Sequence, residues 1–193
     1  MNSLTKNRLK LVFITILFAL PVMAAWFIFS NQQLLAGGKT KNHGELISPA
    51  IPSKLSEFVI NGADIDMQHL AGRWVLLHID LDAKCSKPCE KSVHMMKQLN
   101  TLLNKDSGRL KRVYLDKSSL QERSELTKDT ELNVFKWDKQ HIEKLMGLVK
   151  ELRDSDMLLV DPLGNIMMKY HHDADPYGIQ KDLKLLLKAS QIG

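Results

Sequence analysis

Two cysteines, Cys85 and Cys89, are the residues of this sequence best suited to chemistry, and the chain contains no others. They stand at positions i and i+4, a spacing that on a helix puts both sulfurs on one face with Cα atoms about 6 Å apart. Disulfides span Cα distances of roughly 4.4–6.8 Å, so this pair can oxidise with little backbone movement. The spacing therefore predicts a pair that forms a disulfide, exchanges it, or binds a soft metal ion.

The local sequence CSKPC predicts different roles for the two sulfurs. Pro88 suits the first turn of a helix, which places Cys85 in the loop just before it. There the sulfur faces unpaired backbone N–H groups and the positive end of the helix dipole, and Lys84 and Lys87 add positive charge. These features favour the thiolate, which is the nucleophile and the metal ligand. Cys89 continues the apolar face of the helix and is predicted to be the less accessible sulfur.

An inert structural disulfide is the alternative for this pair. Closing a loop of so few residues removes little entropy from the unfolded chain, so the stabilising value of such a bond is small. A scaffold stapled by disulfides also needs more than two cysteines in 193 residues. We therefore predict that Cys85 and Cys89 act as a catalytic thiol pair or as ligands of a soft metal ion.

Four histidines are candidates for further metal ligands. His78 lies in a predicted strand near the cysteines and His94 lies on the cysteine helix, so each is a conceivable third ligand. A structural or solvent-exposed histidine is the commoner case for both. His171 and His172 directly follow a predicted strand, where neighbouring side chains point to opposite faces. We predict a solvated loop there rather than a metal cluster.

The elements that hold the cysteine pair follow from hydrophobic periodicity and turn residues. In order, we predict a strand hairpin over 58–65 around Asn61-Gly62, a central strand over 74–80, the cysteine helix over 88–104, a strand over 113–115, a short helix over 118–128, a helix over 138–152, a hairpin over 157–170 with Gly164 in its turn, and a helix that starts at Asp175-Pro176. Strands separated by helices favour an α/β fold with a parallel core sheet, and the late hairpin adds an antiparallel edge.

Residues 11–29 carry no charged side chain and predict a transmembrane helix. At about 1.5 Å rise per residue they span roughly 28 Å, close to the hydrocarbon core of about 30 Å. The basic residues just before this run are Lys6, Arg8 and Lys10. They predict a cytoplasmic N-terminus over 1–10 and an exported C-terminal part. A signal peptide cleaved after Val22-Met23-Ala24 is the alternative, but the apolar run continues to Phe29, beyond a typical h-region of about 7–15 residues.

The remainder of the chain is predicted to be a polar tether over 30–52 and one domain over 53–193. The formal net charge is +5, but from residue 51 onward there are 22 basic and 21 acidic side chains. A domain with a net charge of +1 offers no electrostatic footprint for nucleic acid. The excess of basic residues therefore indicates the orientation of the chain in the membrane and does not indicate a nucleic-acid partner.

Several of these features together resemble a known family. A membrane anchor, a hairpin leading into GRWVLLHID, a C-x-x-x-C that opens a helix and a late DPLGN hairpin are similar to thioredoxin-fold proteins of the SCO/SenC type. The ending KDLKLLLKASQIG resembles small membrane proteins found among bacterial cytochrome oxidase assembly factors. The resemblance covers most of residues 55–193. It implies a thioredoxin-like α/β domain, with a central sheet and flanking helices, preceded by one transmembrane helix.

The resemblance implies a role in cytochrome c oxidase assembly, through Cu(I) delivery to the copper site of the oxidase or thiol reduction there. Cys85 and Cys89 would be the redox pair and two Cu(I) ligands. The partner would be an oxidase subunit or another assembly factor, met on the periplasmic side of the inner membrane. The alternatives are a general exported thiol–disulfide oxidoreductase and a non-catalytic binding module.

Two departures from the family pattern bear on the site. Ser86 stands where these proteins usually carry a proline directly after the first cysteine. Their third copper ligand is a histidine just before the strand that enters the late hairpin, whereas residues 153–156 read RDSD here. The cysteines carry over from the family, and the third ligand stays unassigned.

Overall fold

A computed structural model of the chain describes residues 3–31, 42–62, 64–117 and 129–190. The chain divides into two compact units, residues 1–41 and 42–193. The first unit contains helix α1, Ser3–Ser30, which carries Pro21 in its interior. Within it, Lys6–Ser30 includes a stretch with a mean hydropathy of 2.5. Its length and composition fit a single-pass membrane protein.

The second unit is built on a mixed six-stranded sheet with the order β1-β6-β5-β2-β3-β4. The strands are β1 Glu45–Pro52, β2 Trp74–Ile79, β3 Leu110–Asp116, β4 Leu132–Lys136, β5 Met157–Val160 and β6 Asn165–Tyr170. Strands β2, β3 and β4 run parallel to each other. Strands β5, β6 and β1 extend the sheet as antiparallel neighbours beyond β2. The predicted parallel core and late antiparallel hairpin are confirmed, and Gly164 has a φ of 93° in the hairpin turn.

Helices cover both faces of the sheet. They are α2 Lys87–Leu103, α3 Lys139–Leu148 and α4 Pro176–Ala189. Helices α2 and α4 pack with Trp74 and Leu76 of β2 on one face, and α3 packs with Val75 and Leu77 on the other. Alternate strand residues point to opposite faces, so β2 is buried throughout its length because both faces are covered. The same alternation puts His78 on the face covered by α2.

The first strand corrects the sequence prediction for the tether. The sequence predicts a polar tether over 30–52, but residues 45–52 form β1 and pair antiparallel with β6. Two prolines obscure the strand pattern of ELISPAIP, but a strand at the edge of a sheet tolerates them because one side of its backbone needs no partner. The compact unit therefore begins at Asn42, well before residue 53.

Other element predictions need smaller corrections. The predicted hairpin over 58–65 does not form in its described residues: Val59 instead bridges Trp137, next to β4. Strand β4 itself was not predicted, because LNVFK is short and only partly apolar. Helix α3 ends at Leu148, four residues before the predicted end, where the buried Lys169 ammonium binds the Lys150 carbonyl. The predicted helix over 118–128 lies outside the described residues.

Asp182 of α4 binds the first residues of this domain to that helix. Its carboxylate accepts backbone N–H bonds from His43 (2.8 Å) and Gly44 (3.0 Å) and is buried. Asp182→Ala is expected to lower the free energy of unfolding by about 1–3 kcal/mol, because two backbone N–H groups lose their buried, charged acceptor. Urea unfolding of the detergent-solubilised protein measures this, with the exposed Asp173→Ala as control. Equal stabilities for the two variants would contradict the assignment.

Candidate functional site

Cys85 and Cys89 form a disulfide at the start of α2, with their Cα atoms 5.0 Å apart. Cys85 lies in the loop before the helix and is half-buried, whereas Cys89 lies in the first turn and is fully buried. Ser86 occupies the N-cap position and Pro88 is in the first turn, where its missing N–H costs nothing. The structure therefore gives the pair one sulfur near solvent and one inside the protein.

The loop between β2 and α2 is held by carboxylates rather than by regular structure. Asp154 Oδ1 accepts backbone N–H bonds from Leu81 (2.6 Å) and Asp82 (3.3 Å), and Asp80 Oδ1 accepts one from Ala83 (3.0 Å). These bonds let the loop turn tightly before the disulfide.

Two loop residues have left-handed backbone conformations. Ala83 has a φ of 67° and Cys85 a φ of 36°, although neither is glycine. Such conformations cost about 1–3 kcal/mol each and persist where the surroundings fix them. The carboxylate bonds to residues 81–83 and the disulfide bond to Cys89 supply that constraint, so the position of Cys85 is set by its neighbours.

His78 lies directly behind the disulfide. Its Nε2 is 3.3 Å from the Cys89 sulfur, and its Nδ1 is 3.0 Å from the backbone carbonyl oxygen of Asp156. A carbonyl oxygen only accepts, so in the neutral imidazole Nδ1 carries the proton and Nε2 directs its lone pair at the sulfur. The Tyr114 hydroxyl is 3.7 Å from the same sulfur, and all three side chains are fully buried.

The loop before β5 is fastened to the cysteine helix. Ser92 of α2 donates to the Ser155 carbonyl at 2.6 Å. The buried Asp156 carboxylate contacts His171 Nδ1 at 2.7 Å through one oxygen and accepts the Arg153 N–H at 2.9 Å through the other. Residues 153–156, where the resembling family carries its histidine, therefore lie beside His78 and α2, with Asp156 presenting a carbonyl to the site.

The other histidines have different environments. His94 is exposed on α2, on the side away from the buried Cys89. His171 and His172 follow β6 in a loop, as predicted, but they are half-buried, and His172 Nδ1 is 3.2 Å from Ser155 Oγ. This loop is less solvated than the sequence predicted, because residues 153–156 pack against it and provide polar partners. Of the candidate third ligands, His78 is the one in contact with the cysteine pair.

A mixed sheet covered by helices on both faces, with a disulfide at the start of the first helix after a central strand, defines a thioredoxin-like domain. Residues 74–190 match the family described as "Transmembrane-like, thioredoxin-like, C-terminal domain". This chain belongs to that family. A comparison with curated protein sequences found no match.

Solved structures support the same fold. The apo Sco1 protein from Thermus thermophilus is similar at a TM-score of 0.56 and 14% identity, over 78% of this chain and 99% of that chain. Arabidopsis thaliana ScoI with copper bound is similar at 0.50 and 12% identity, over 64% and 88%. BsSco, described as a member of the Sco family of cytochrome c oxidase assembly proteins, is similar at 0.50 and 15%, over 72% and 99%. The domain has an SCO-like thioredoxin fold.

Proposed function

We propose that this protein is a membrane-anchored thioredoxin-like factor that acts through Cys85 and Cys89 in cytochrome c oxidase assembly. The observation that carries the proposal is the asymmetry of the pair, one half-buried sulfur in a constrained loop and one fully buried behind it. Exchange of a disulfide with a partner needs this arrangement, because one sulfur must be reachable and the other must stay in place. The SCO-like fold supports the choice of target.

Thiol reduction of the oxidase copper site is the first form of the proposal. The Cys85 thiolate attacks one sulfur of the partner's disulfide, which forms a mixed disulfide and releases one partner thiolate. Cys89, as the thiolate, then attacks the Cys85 sulfur, which closes the bond seen in the structure and releases the second partner thiolate. Two electrons pass to the partner, whose thiolates take up protons from water. A dithiol donor must return two electrons to the pair before the next cycle.

Cu(I) handling is the second form, and the contact between His78 and Cys89 favours it. Two thiolates and an imidazole are ligand types that suit Cu(I), and soft thiolates select it over harder ions. The donor set present in the structure therefore fits copper as cargo. Arabidopsis ScoI was solved with copper bound, which agrees with this form.

The proposed location follows from the charge pattern around α1. The basic residues before the apolar run favour a cytoplasmic N-terminus. The domain from Asn42 onward would then lie outside the plasma membrane, in the periplasm of a Gram-negative cell. Disulfides persist in such oxidising compartments, which agrees with the bonded pair. Its partner there would be an oxidase subunit or another assembly factor.

The test replaces both cysteines in the full chain, Cys85→Ser with Cys89→Ser, in the native host. We expect cytochrome c oxidase activity to fall by about tenfold or more, because no thiol remains to exchange or to bind copper, while other exported disulfide proteins keep their normal redox state. The matched control is Ser86→Ala, which changes an exposed residue between the two cysteines and leaves both sulfurs in place. Broad changes in disulfide proteins would instead indicate a general oxidoreductase, and an unchanged oxidase would indicate a non-catalytic module.

A further inference from the structure

We infer that His78 supplies the third ligand of a Cu(I) site that it forms with the two cysteine sulfurs after the disulfide is reduced. The inference rests on the Cu(I) form of the proposed function and deepens it. It assigns the third ligand to a residue in the central strand β2, whereas the resembling family has its histidine in the loop before β5. The ligand atoms are Cys85 Sγ, Cys89 Sγ and His78 Nε2.

The distance between His78 and Cys89 is close to what a shared metal ion requires. Bonds of about 2.3 Å to sulfur and 2.0 Å to imidazole nitrogen, as zinc makes them, separate two ligands of a trigonal centre by about 3.7 Å. The observed Nε2–Sγ distance is 3.3 Å. A shift of a few tenths of an ångström therefore suffices, and reduction of the disulfide frees both sulfurs to make it.

The hydrogen bond on the other side of the ring prepares His78 for this role. Ligating histidines in metalloproteins almost always donate their second ring N–H to a carboxylate, a backbone carbonyl or water, which fixes the tautomer and the ring plane. His78 Nδ1 makes this bond to the Asp156 carbonyl at 3.0 Å. Asp156 is itself held through its carboxylate by His171 and the Arg153 N–H. The lone pair of Nε2 is thus aimed at Cys89 before any metal arrives.

The positions of the other candidate ligands favour His78 as the third ligand. His94 lies on the exposed side of α2, and His171 lies in the loop after β6, where it contacts the Asp156 carboxylate. Met96 is fully buried among the core residues between α2 and the sheet. Among the described histidines and methionines, His78 is the one whose ring nitrogen lies 3.3 Å from a cysteine sulfur.

Copper binding at this site is coupled to the redox state of the pair. The disulfide offers no thiolate, so two electrons from a dithiol donor must first convert Cys85–Cys89 to two thiols. Loss of two protons to water then gives the thiolates that bind one Cu(I), with neutral His78 completing the set. The oxidised protein is therefore expected to bind no Cu(I) at this site.

The test measures Cu(I) binding by the reduced, detergent-solubilised full chain in competition with a chromophoric Cu(I) chelator. We expect one Cu(I) per chain in the wild type and an affinity lower by about tenfold or more in His78→Leu, with His94→Ala unchanged as the matched histidine control. X-ray absorption at the copper edge is expected to show an imidazole nitrogen in the wild type and in His94→Ala, and its loss in His78→Leu. His78→Gln, which keeps a side-chain donor for the Asp156 carbonyl, replaces His78→Leu if that variant does not fold.

The outcomes separate this inference from the proposed function. Wild-type affinity and a retained nitrogen ligand in either His78 variant would overturn the His78 assignment and leave copper handling by the cysteines intact. Binding by Cys85→Ser/Cys89→Ser that equals the wild type, or no binding by the wild type, would overturn the copper form of the proposed function and this inference with it.

Discussion

Cys89→Ala is expected to trap the protein in a mixed disulfide with its partner, whereas Cys85→Ala is expected to trap nothing. Cys85 is half-buried in the loop and can meet a partner sulfur, but Cys89 is fully buried behind it. Without Cys89 no sulfur is available to attack the mixed disulfide, so the intermediate accumulates. Without Cys85 the remaining sulfur has no access to solvent, and the first step does not occur.

The measurement is non-reducing electrophoresis of the full chain from cells treated with acid to stop exchange, followed by mass spectrometry of bands that disappear on reduction. The two single variants serve as matched controls for each other, because each removes one sulfur of the same pair. The variant that lacks both cysteines, Cys85→Ser/Cys89→Ser, measures the background level of cross-linking. Trapping by Cys85→Ala, or equal trapping by both, would contradict the roles assigned to the two sulfurs.

Asp129→Asn is expected to lower the free energy of unfolding by about 3 kcal/mol, the largest effect we expect on stability. Arg112 of β3 is buried, with 3% of its side chain exposed, and both of its terminal nitrogens bind the Asp129 carboxylate at 2.7 and 3.0 Å. Removing one partner of a buried pair leaves an uncompensated charge, which costs about 3–5 kcal/mol. We expect the lower end of this energy range because 16% of the Asp129 side chain is exposed.

The same pair predicts a dependence of stability on pH. The hydrogen bond from Arg112 holds the pKa of the Asp129 carboxyl below its usual value of 3.8. A lowered pKa in the folded state contributes stability that is present above the unfolded pKa, at about pH 4, and is lost as the pH falls through the folded pKa. The difference in stability between the wild type and Asp129→Asn is therefore expected to narrow below about pH 4.

Urea unfolding of the detergent-solubilised protein at about pH 7 and about pH 3 checks both statements. Asp106→Asn is the matched control, because Asp106 pairs with Arg109 at 3.9 Å and both side chains are a quarter to a third exposed. Exposed pairs contribute about 0–1 kcal/mol, so this control should stay close to the wild type. A loss of less than about 1 kcal/mol in Asp129→Asn at neutral pH would contradict the prediction.

Local sequence signals were sufficient for the elements whose residues interact mainly with near neighbours. The prediction of the cysteine helix over 88–104 agrees with α2 within one residue at each end, since proline at its start and a regular apolar face are both local. The α4 start is also local: Asp175 caps the helix by accepting the Tyr177 and Gly178 N–H bonds. The late hairpin needed only two apolar strands and a glycine with positive φ.

The elements that sequence reasoning missed depend on partners far away in the chain. Strand β1 exists because β6, more than 110 residues later, offers it an edge to pair with. Strand β4 pairs with β3, whose partner residues lie 20 positions earlier in the chain. Neither has a strong pattern of its own, and pairing with a distant strand supplied the backbone hydrogen bonds that fixed the conformation.

In the candidate site, too, some features depend on consecutive residues and others depend on tertiary contacts. The sequence alone determined that Cys85 and Cys89 can bond and that Cys89 is the inner sulfur, because the i, i+4 spacing and the apolar helix face are properties of consecutive residues. The tertiary structure decided that His78, and not His94, meets the pair. That choice depends on which face of β2 is covered by α2 and on the Asp156 carbonyl, 78 residues later in the chain, and no local pattern encodes a contact between strands and loops so far apart.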